Sequence, residues 1–286
     1  MNSGNRPGSV PAIELRGASK VFRTPSGGVH TAVRDLDLTV GRGEFVAVVG
    51  PTGCGKSTTL TLVSGLEEPT EGEVLIDGGP VEGIRPEVGF VFQQDAVFPW
   101  RTVLSNVAAG PRFRGVPKAE ARARARDWLG RVGLAAFADR YPHQLSGGQR
   151  KRVALAQTFV NDPAILLMDE PFSALDVQTR ALMSDELLEL WGGSRGSRGS
   201  RPGAQAASVV FVTHDLEEAI ALADKVVVMT AGPATVKEVF PIGLPRPRKV
   251  ESVRLEPQFI ELYREIWACL GEEVRITREK GAARVA

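Results

Sequence analysis

The chain has 286 residues, 43% of them hydrophobic and 24% charged, with a formal net charge of +1. That balance excludes global disorder and leaves no global electrostatic case for nucleic acid or an acidic membrane surface as partner. The length suits one large domain, or one domain with a substantial appendage. The two cysteines, Cys54 and Cys269, do not make a disulfide framework and point to a reducing compartment. The opening "MNSGNRPGSVPA" lacks an apolar core of signal-peptide length. Runs such as "FVAVV" at 45–49 and "AILLM" at 164–168 are too short to cross a bilayer. A cytoplasmic protein is expected, held at a membrane only by its partners.

In chain order, "AIELRGASKVF" from Ala12 and "VRDLDLTVG" from Val33 alternate apolar with polar residues, which predicts antiparallel strands with one wetter face. "FVAVVG", "VGFVFQ", "AILLMD", "SVVFVTH" and "KVVVMT" are instead continuous apolar runs between helical stretches, the habit of parallel strands buried on both faces. Between Gln94 and Asp162 the strand signal disappears. There "PKAEARARARDWLGRVGL" sets Ala121, Ala125, Trp128, Leu129 and Val132 on one helical face, with Arg122 and Arg126 on another that reads as solvated. "GGSRGSRGSRPGAQ", Gly192 to Gln205, reads as a flexible insertion. The expected plan is a mixed α/β domain over 12–243, with a helical subdomain at about 95–162 and the insertion at about 192–205. A C-terminal helical extension follows over 244–286. Its residues Phe259, Leu262, Tyr263, Ile266 and Leu270 share one face, either packing back on the parent domain or meeting a partner.

The chemistry is concentrated in three places. Gly50 to Ser57, "GPTGCGKS", satisfies G-x-x-x-x-G-K-S after a buried strand and before a helix. Backbone N–H groups around Gly53, Gly55 and Lys56 would cradle phosphate oxygens at the positive end of that helix. Lys56 would reach the β- and γ-phosphates and Ser57 would ligate Mg²⁺. The whole loop is the candidate nucleotide-binding segment: Gly50, Pro51, Thr52, Gly53, Cys54, Gly55, Lys56, Ser57 and Thr58. "AILLMDEP" ends in two carboxylates; Asp169 suits a metal-side ligand beside Ser57, and Glu170 suits polarising an attacking water. "HQLSGGQRKRVALAQ" from His143 opens a second helix with a glycine turn, so Ser146, Gly147 and Gly148 offer a second anion site.

"LSGGQ" resembles the signature motif of ATP-binding cassette (ABC) ATPases, and the other motifs occur in that family's order over nearly the whole chain. The resemblance implies a P-loop ABC ATPase core of mixed sheet, antiparallel β subdomain and inserted helical subdomain, with ATP and Mg²⁺ as cofactors. It implies that Ser146, Gly147, Gly148 and Gln149 of one subunit close over ATP held on the loop of another, in a homodimer with two shared sites. By the same matching, Phe22 would stack on adenine unless it is core, and Gln93 in "VFQQD" would sense Mg²⁺ and the attacking water. Asp176, ending "SALD", would cross the dimer interface, and His214 in "VTHD" would contact the γ-phosphate.

A single cassette without coiled coil or fused membrane spans is similar to an importer subunit. "QDAVFPWRTVLSNVAAGP" and "LPRPR" are similar to the same regions of nitrate, sulfonate and taurine importers. The implied partners are integral-membrane permease subunits and, indirectly, a periplasmic or lipid-anchored solute-binding protein, with this chain peripheral on the inner face of the cell membrane. No nucleic acid is expected. Phe98, Pro99 and Trp100 are placed near the permease contact, with Trp100 equally readable as subdomain core. The competing readings are a non-transport ABC ATPase acting on nucleic acid or the ribosome and, more remotely, a P-loop kinase.

Overall fold

The computed structural model describes residues 10–24, 27–193 and 206–285. The described elements run as follows: β1 Ile13–Arg23, β2 Val29–Val40, β3 Phe45–Val49, α1 Lys56–Ser64, β4 Glu71–Ile76, β5 Gly79–Pro80 and β6 Val88–Val91. Helices α2 Val103–Val107, α3 Ala109–Phe113, α4 Lys118–Arg131 and α5 Gly147–Phe159 come next. The chain continues with β7 Ile165–Asp169, α6 Val177–Gly193, β8 Ser208–Val212, α7 Leu216–Leu222, β9 Lys225–Met229, β10 Val236–Pro241, α8 Val250–Val253 and α9 Pro257–Val285.

Two sheets organise these elements. One is four-stranded and antiparallel, in the order β2-β1-β4-β5. The other is six-stranded, β10-β9-β3-β8-β7-β6, parallel apart from the edge strand β10. The apolar runs are buried because alternate residues serve two cores. Phe45, Ala47, Val49, Leu166, Met168, Val209 and Phe211 pack toward α6, α7 and α9. Val46, Val48, Ile165, Leu167, Val210 and Val212 pack toward α1 and the antiparallel sheet. A polar residue at any of these positions would have no wet face to turn to.

Between β6 and β7 the described chain is helical and carries its own small core of Val103, Leu104, Val107, Ala121, Ala125, Leu129 and Val153. Trp128 stands at its border, packed 5.5 Å from the Phe159 ring. Of the Gly-Ser-Arg insertion expected at 192–205, the first two glycines end α6 and 194–205 lie outside the described residues. Its upstream flank is anchored: Trp191 packs edge-on to Phe45 at 5.5 Å, and its Nε1 donates to the Ala207 carbonyl at 2.7 Å.

The C-terminal helix packs back on the domain. Phe259, Ile266 and Leu270 are buried in the main core, with Leu262 and Tyr263 half-buried against it. "LPRPR" has a structural task. Arg248, 7% exposed, donates to the carbonyls of Ile220, Ala221 and Ala223 at the end of α7 and to those of Ile242 and Leu244. A guanidinium there meets both the orphan carbonyls and the negative end of a helix. Burial and the neighbouring Arg246 pull its pKa down to about 10. Among the described residues no helix is long and apolar enough to cross a membrane.

Candidate active site

Strand β3 ends at Val49 and hands the chain to the phosphate loop, which turns into α1 at Gly55. Gly55 has φ +123°, and a Cβ there would fall 2.5 Å from the Ala32 carbonyl oxygen and 2.8 Å from Ala234 Cβ. Only glycine fits that turn. Cys54 is buried beneath the loop, where desolvation pushes its thiol up and away from nucleophilic use. Thr52, Gly53 and Ser57 are exposed at the mouth. Lys56 is only 6% exposed: its Nζ donates to the carbonyls of Gly50 at 2.8 Å and Pro51 at 3.0 Å. The ammonium is therefore held over the concave loop by groups it can release.

Strand β7 lies between β6 and β8 and delivers Asp169 opposite Val212. The Ser57 hydroxyl donates to the Asp169 carboxylate, whose pKa is nevertheless raised, first by burial and then by the neighbouring Glu170. A hydroxyl and a half-buried carboxylate beside a phosphate cradle are hard oxygen donors, a set that fits Mg²⁺ sharing its shell with water and phosphate. Glu170 sits at φ +41°, held there because its N–H donates to the Val212 carbonyl at 2.9 Å and its own carbonyl accepts from Ser173. That twist turns its carboxylate to meet two other chain segments. Oε2 accepts from Gln93 Nε2 at 3.4 Å and from His214 Nδ1 at 3.1 Å. Residues 77 and 44 positions away from Glu170 thus converge on one oxygen.

The remaining sequence candidates lie in two clusters. Ser146 caps α5 in a reciprocal box: its Oγ accepts from Gln149 N at 3.3 Å, and Gln149 Oε1 accepts from Ser146 N at 3.0 Å. Ser146 and Gly147 are exposed, and a Cβ on Gly148 would come within 3.1 Å of Thr179 Cγ2. Asp176 accepts from Thr179 N and Oγ1, bonds that hold its carboxyl below the usual range. The signature turn therefore rests on the first turn of α6, just beyond "SALD". Phe22 stands apart on β1, half-buried against the second core with the Lys20 ammonium 5.2 Å from its ring centre.

Three partners of these loops escaped the sequence reading. Lys151, in the "RKR" run of α5, is 3% exposed and donates to the Phe92 and Gln93 carbonyls while pairing with Asp95 at 3.0 Å. Its spacing from Leu155 and Phe159 on the buried face was the available signal. Arg180 on α6 donates to the Leu175 carbonyl at 3.1 Å and to Asp215 at 2.9 Å, tying "SALD" to the loop that carries His214. Glu218 lies beneath, accepting from Thr213 Oγ1 at 2.7 Å, and nothing in the local sequence marks it as buried.

Past Gln93, Trp100 is 71% exposed, which decides against its placement in the subdomain core. Phe98, half-buried, lies between Trp100, in a tilted contact, and Phe113, edge-on, and Arg101 lies over both phenyl rings. Beside them opens a groove of about 240 Å³ lined by Phe90, Phe92, Phe98, Phe113, Arg114 and Asn161, among others.

Comparison with known proteins shows the family. The ABC transporter family matches residues 33–173. The bicarbonate transport ATP-binding protein CmpD of Synechococcus elongatus is 38% identical over 262 residues, covering 90% of this chain and 89% of its own. The taurine import ATP-binding protein TauB of Pseudomonas entomophila is 40% identical over 238 residues, covering 82% and 88%. Among solved structures, the dimeric post-hydrolysis ATP-binding cassette MJ0796 bound to ADP and Pi superposes with a TM-score of 0.68 at 31% identity, over 82% of this chain and all of that one.

Proposed function

This chain belongs to the ABC transporter family as an ATP-hydrolysing cassette, and on that premise we propose that it energises an importer of a small anionic solute such as nitrate, a sulfonate or taurine. The observation that carries the ATPase part is the convergence of Gln93 and His214 on Glu170, at the end of the strand that also brings Asp169 to the phosphate loop. Similarity to the bicarbonate transport protein CmpD and the taurine import protein TauB supports the importer part.

In the proposed mechanism ATP lies on Gly50–Thr58, with the N–H groups of the loop and of the start of α1 directed at its phosphates. Lys56 exchanges the Gly50 and Pro51 carbonyls for β- and γ-phosphate oxygens. Ser57 and Asp169, with the Gln93 amide oxygen, would hold Mg²⁺, which when bound offsets charge on the phosphates. Glu170 takes up a proton from the attacking water, and the contacts from Gln93 and His214 aim its carboxylate until then. Phe22 would meet the adenine. Ser146 and Gly147 are exposed, and with Gly148 and Gln149 they would meet the ATP of a second copy, with Asp176 at the same interface. Binding favours the closed dimer and hydrolysis with phosphate release reopens it, a population shift that needs ATP to prefer the closed form.

The groove beside Phe98, with Pro99 and Trp100 exposed at its edge, would receive a permease segment. The chain would then sit peripherally on the cytoplasmic face of the membrane, with a solute-binding protein engaged through the permease. The test is to tag Glu170→Gln, add ATP and Mg²⁺ in the native cell, and identify what co-purifies from solubilised membranes. Lost turnover, an accumulated dimer and a polytopic membrane protein in stoichiometric amount are expected. Wild-type turnover would remove Glu170 from its role, and ribosomal or DNA-bound partners would overturn the importer reading.

A further inference from the structure

Glu273 lies on α9, 6% exposed, between the buried Leu270 and the partly buried Val274, which both pack on the main core. Its Oε2 accepts from the Ala231 N–H at 2.7 Å, and its Oε1 pairs with Lys237 Nζ at 2.8 Å. Ala231 opens the turn between β9 and β10, which Thr230 closes by donating to the Pro233 carbonyl at 3.1 Å. That turn is the outer wall of the phosphate loop. A Cβ on Gly232 would lie 3.8 Å from Cys54 Cα and 3.9 Å from the Gly53 carbonyl oxygen. Ala234 blocks the position a Cβ on Gly55 would occupy, and its N–H donates to the Ala32 carbonyl at 2.9 Å. One side of the turn therefore touches Gly53, Cys54 and Gly55, and the other is held by a carboxylate from the C-terminal helix.

We propose that Glu273 is a positioning residue for the phosphate loop, through which the C-terminal helix sets affinity for ATP. The proposal rests on the placement of ATP on Gly50–Thr58. A buried, charge-assisted hydrogen bond holds the wall in one arrangement, and cradle geometry is what backbone anion binding depends on. The neighbouring Glu272 supplies the control. It pairs with the same Lys237 at 2.6 Å, and its bonded partner lies on β10, outside the turn.

The experiment uses the full chain and titrates a fluorescent ATP analogue with Mg²⁺, alongside ATPase kinetics and a far-UV spectrum for each variant. Glu273→Ala is expected to raise Kd and KM for nucleotide roughly three- to tenfold with kcat little changed. Glu273→Gln, whose carbonyl oxygen still accepts from Ala231, should recover most of the affinity, and Glu272→Ala should bind as wild type. If the alanine variant does not fold, Glu273→Asp carries the same expectation, because it keeps the charge but falls one methylene short of Ala231. An unchanged Kd in Glu273→Ala, a loss confined to kcat, or an equal loss in Glu272→Ala would overturn the inference. Binding that survives Lys56→Ala would instead overturn the ATP placement, and this inference with it.

Discussion

Glu218→Gln should change how stability depends on pH, and the direction follows from what surrounds the carboxylate. Glu218 is 3% exposed; Oε2 accepts from Thr213, while Oε1 has no hydrogen-bond partner and lies 3.8 Å from Arg180 Nε. Arg180 is already engaged by Asp215, so it does not neutralise Glu218 fully. Burial, with the Asp215 charge adding to it, outweighs Thr213, Arg180 and His214 and pushes the carboxyl from 4.5 up to about 7. The folded chain thus keeps a proton that the unfolded chain has released. Stability is lost as pH rises through the window between those two values, and above it the loss is complete. At about 1.4 kcal/mol per pH unit the charged form costs the fold roughly 3 kcal/mol.

Glutamine mimics the protonated acid and has no such slope. Urea unfolding of both proteins without nucleotide, from about pH 5 to about pH 8, isolates the effect, because other titrations cancel in the difference. The variant should gain roughly 2–3 kcal/mol on wild type across that range. A difference that stays flat would refute the reasoning. So would wild type gaining on the variant, since that would make Glu218 a stabilising partner of Arg180 and not a desolvated acid.

Two further outcomes test the packing. Arg248→Ala leaves five carbonyls without their donor and should lower stability by about 3–5 kcal/mol in thermal or urea unfolding. Arg248→Lys should recover little, because an ammonium cannot reproduce the planar fork. Trp191→Ala, at a core position 2% exposed, should cost about 3–5 kcal/mol, whereas Trp100→Ala should stay within about 0.5 kcal/mol of wild type. A Trp100 variant as damaged as the Trp191 variant would return Trp100 to the structural core.

Much of the fold was legible because its causes are local. Continuous β-branched runs such as "FVAVV" and "SVVFV" announce strands buried on both faces, and both lie in the parallel sheet. The alternation in "IELRGASKVFR" announces a strand with one wet face. Gly55 is demanded by a backbone turn that its neighbours in sequence already define. The arrangement of Asp169 and Glu170 was half legible: an apolar strand delivering carboxylates at its end is a sequence pattern, but the twist at Glu170 comes from its hydrogen bond to Val212 on the next strand.

The fates of the charged side chains were not legible. Lys151 and Arg248 sit in short basic runs, "RKR" and "LPRPR", that do not announce burial, yet both are buried and bonded to carbonyls. Glu218 and Glu273 look like ordinary helix acids, yet one is desolvated and the other clamps the turn behind the phosphate loop. The sequence by itself determined the strands, the glycine turns and the motif residues, because backbone sterics and hydrophobic period act within a few residues. Only the tertiary structure decided which charges meet, because a buried charge also depends on partners from other elements, such as Phe92, 59 positions from Lys151, and Ala231, 42 from Glu273.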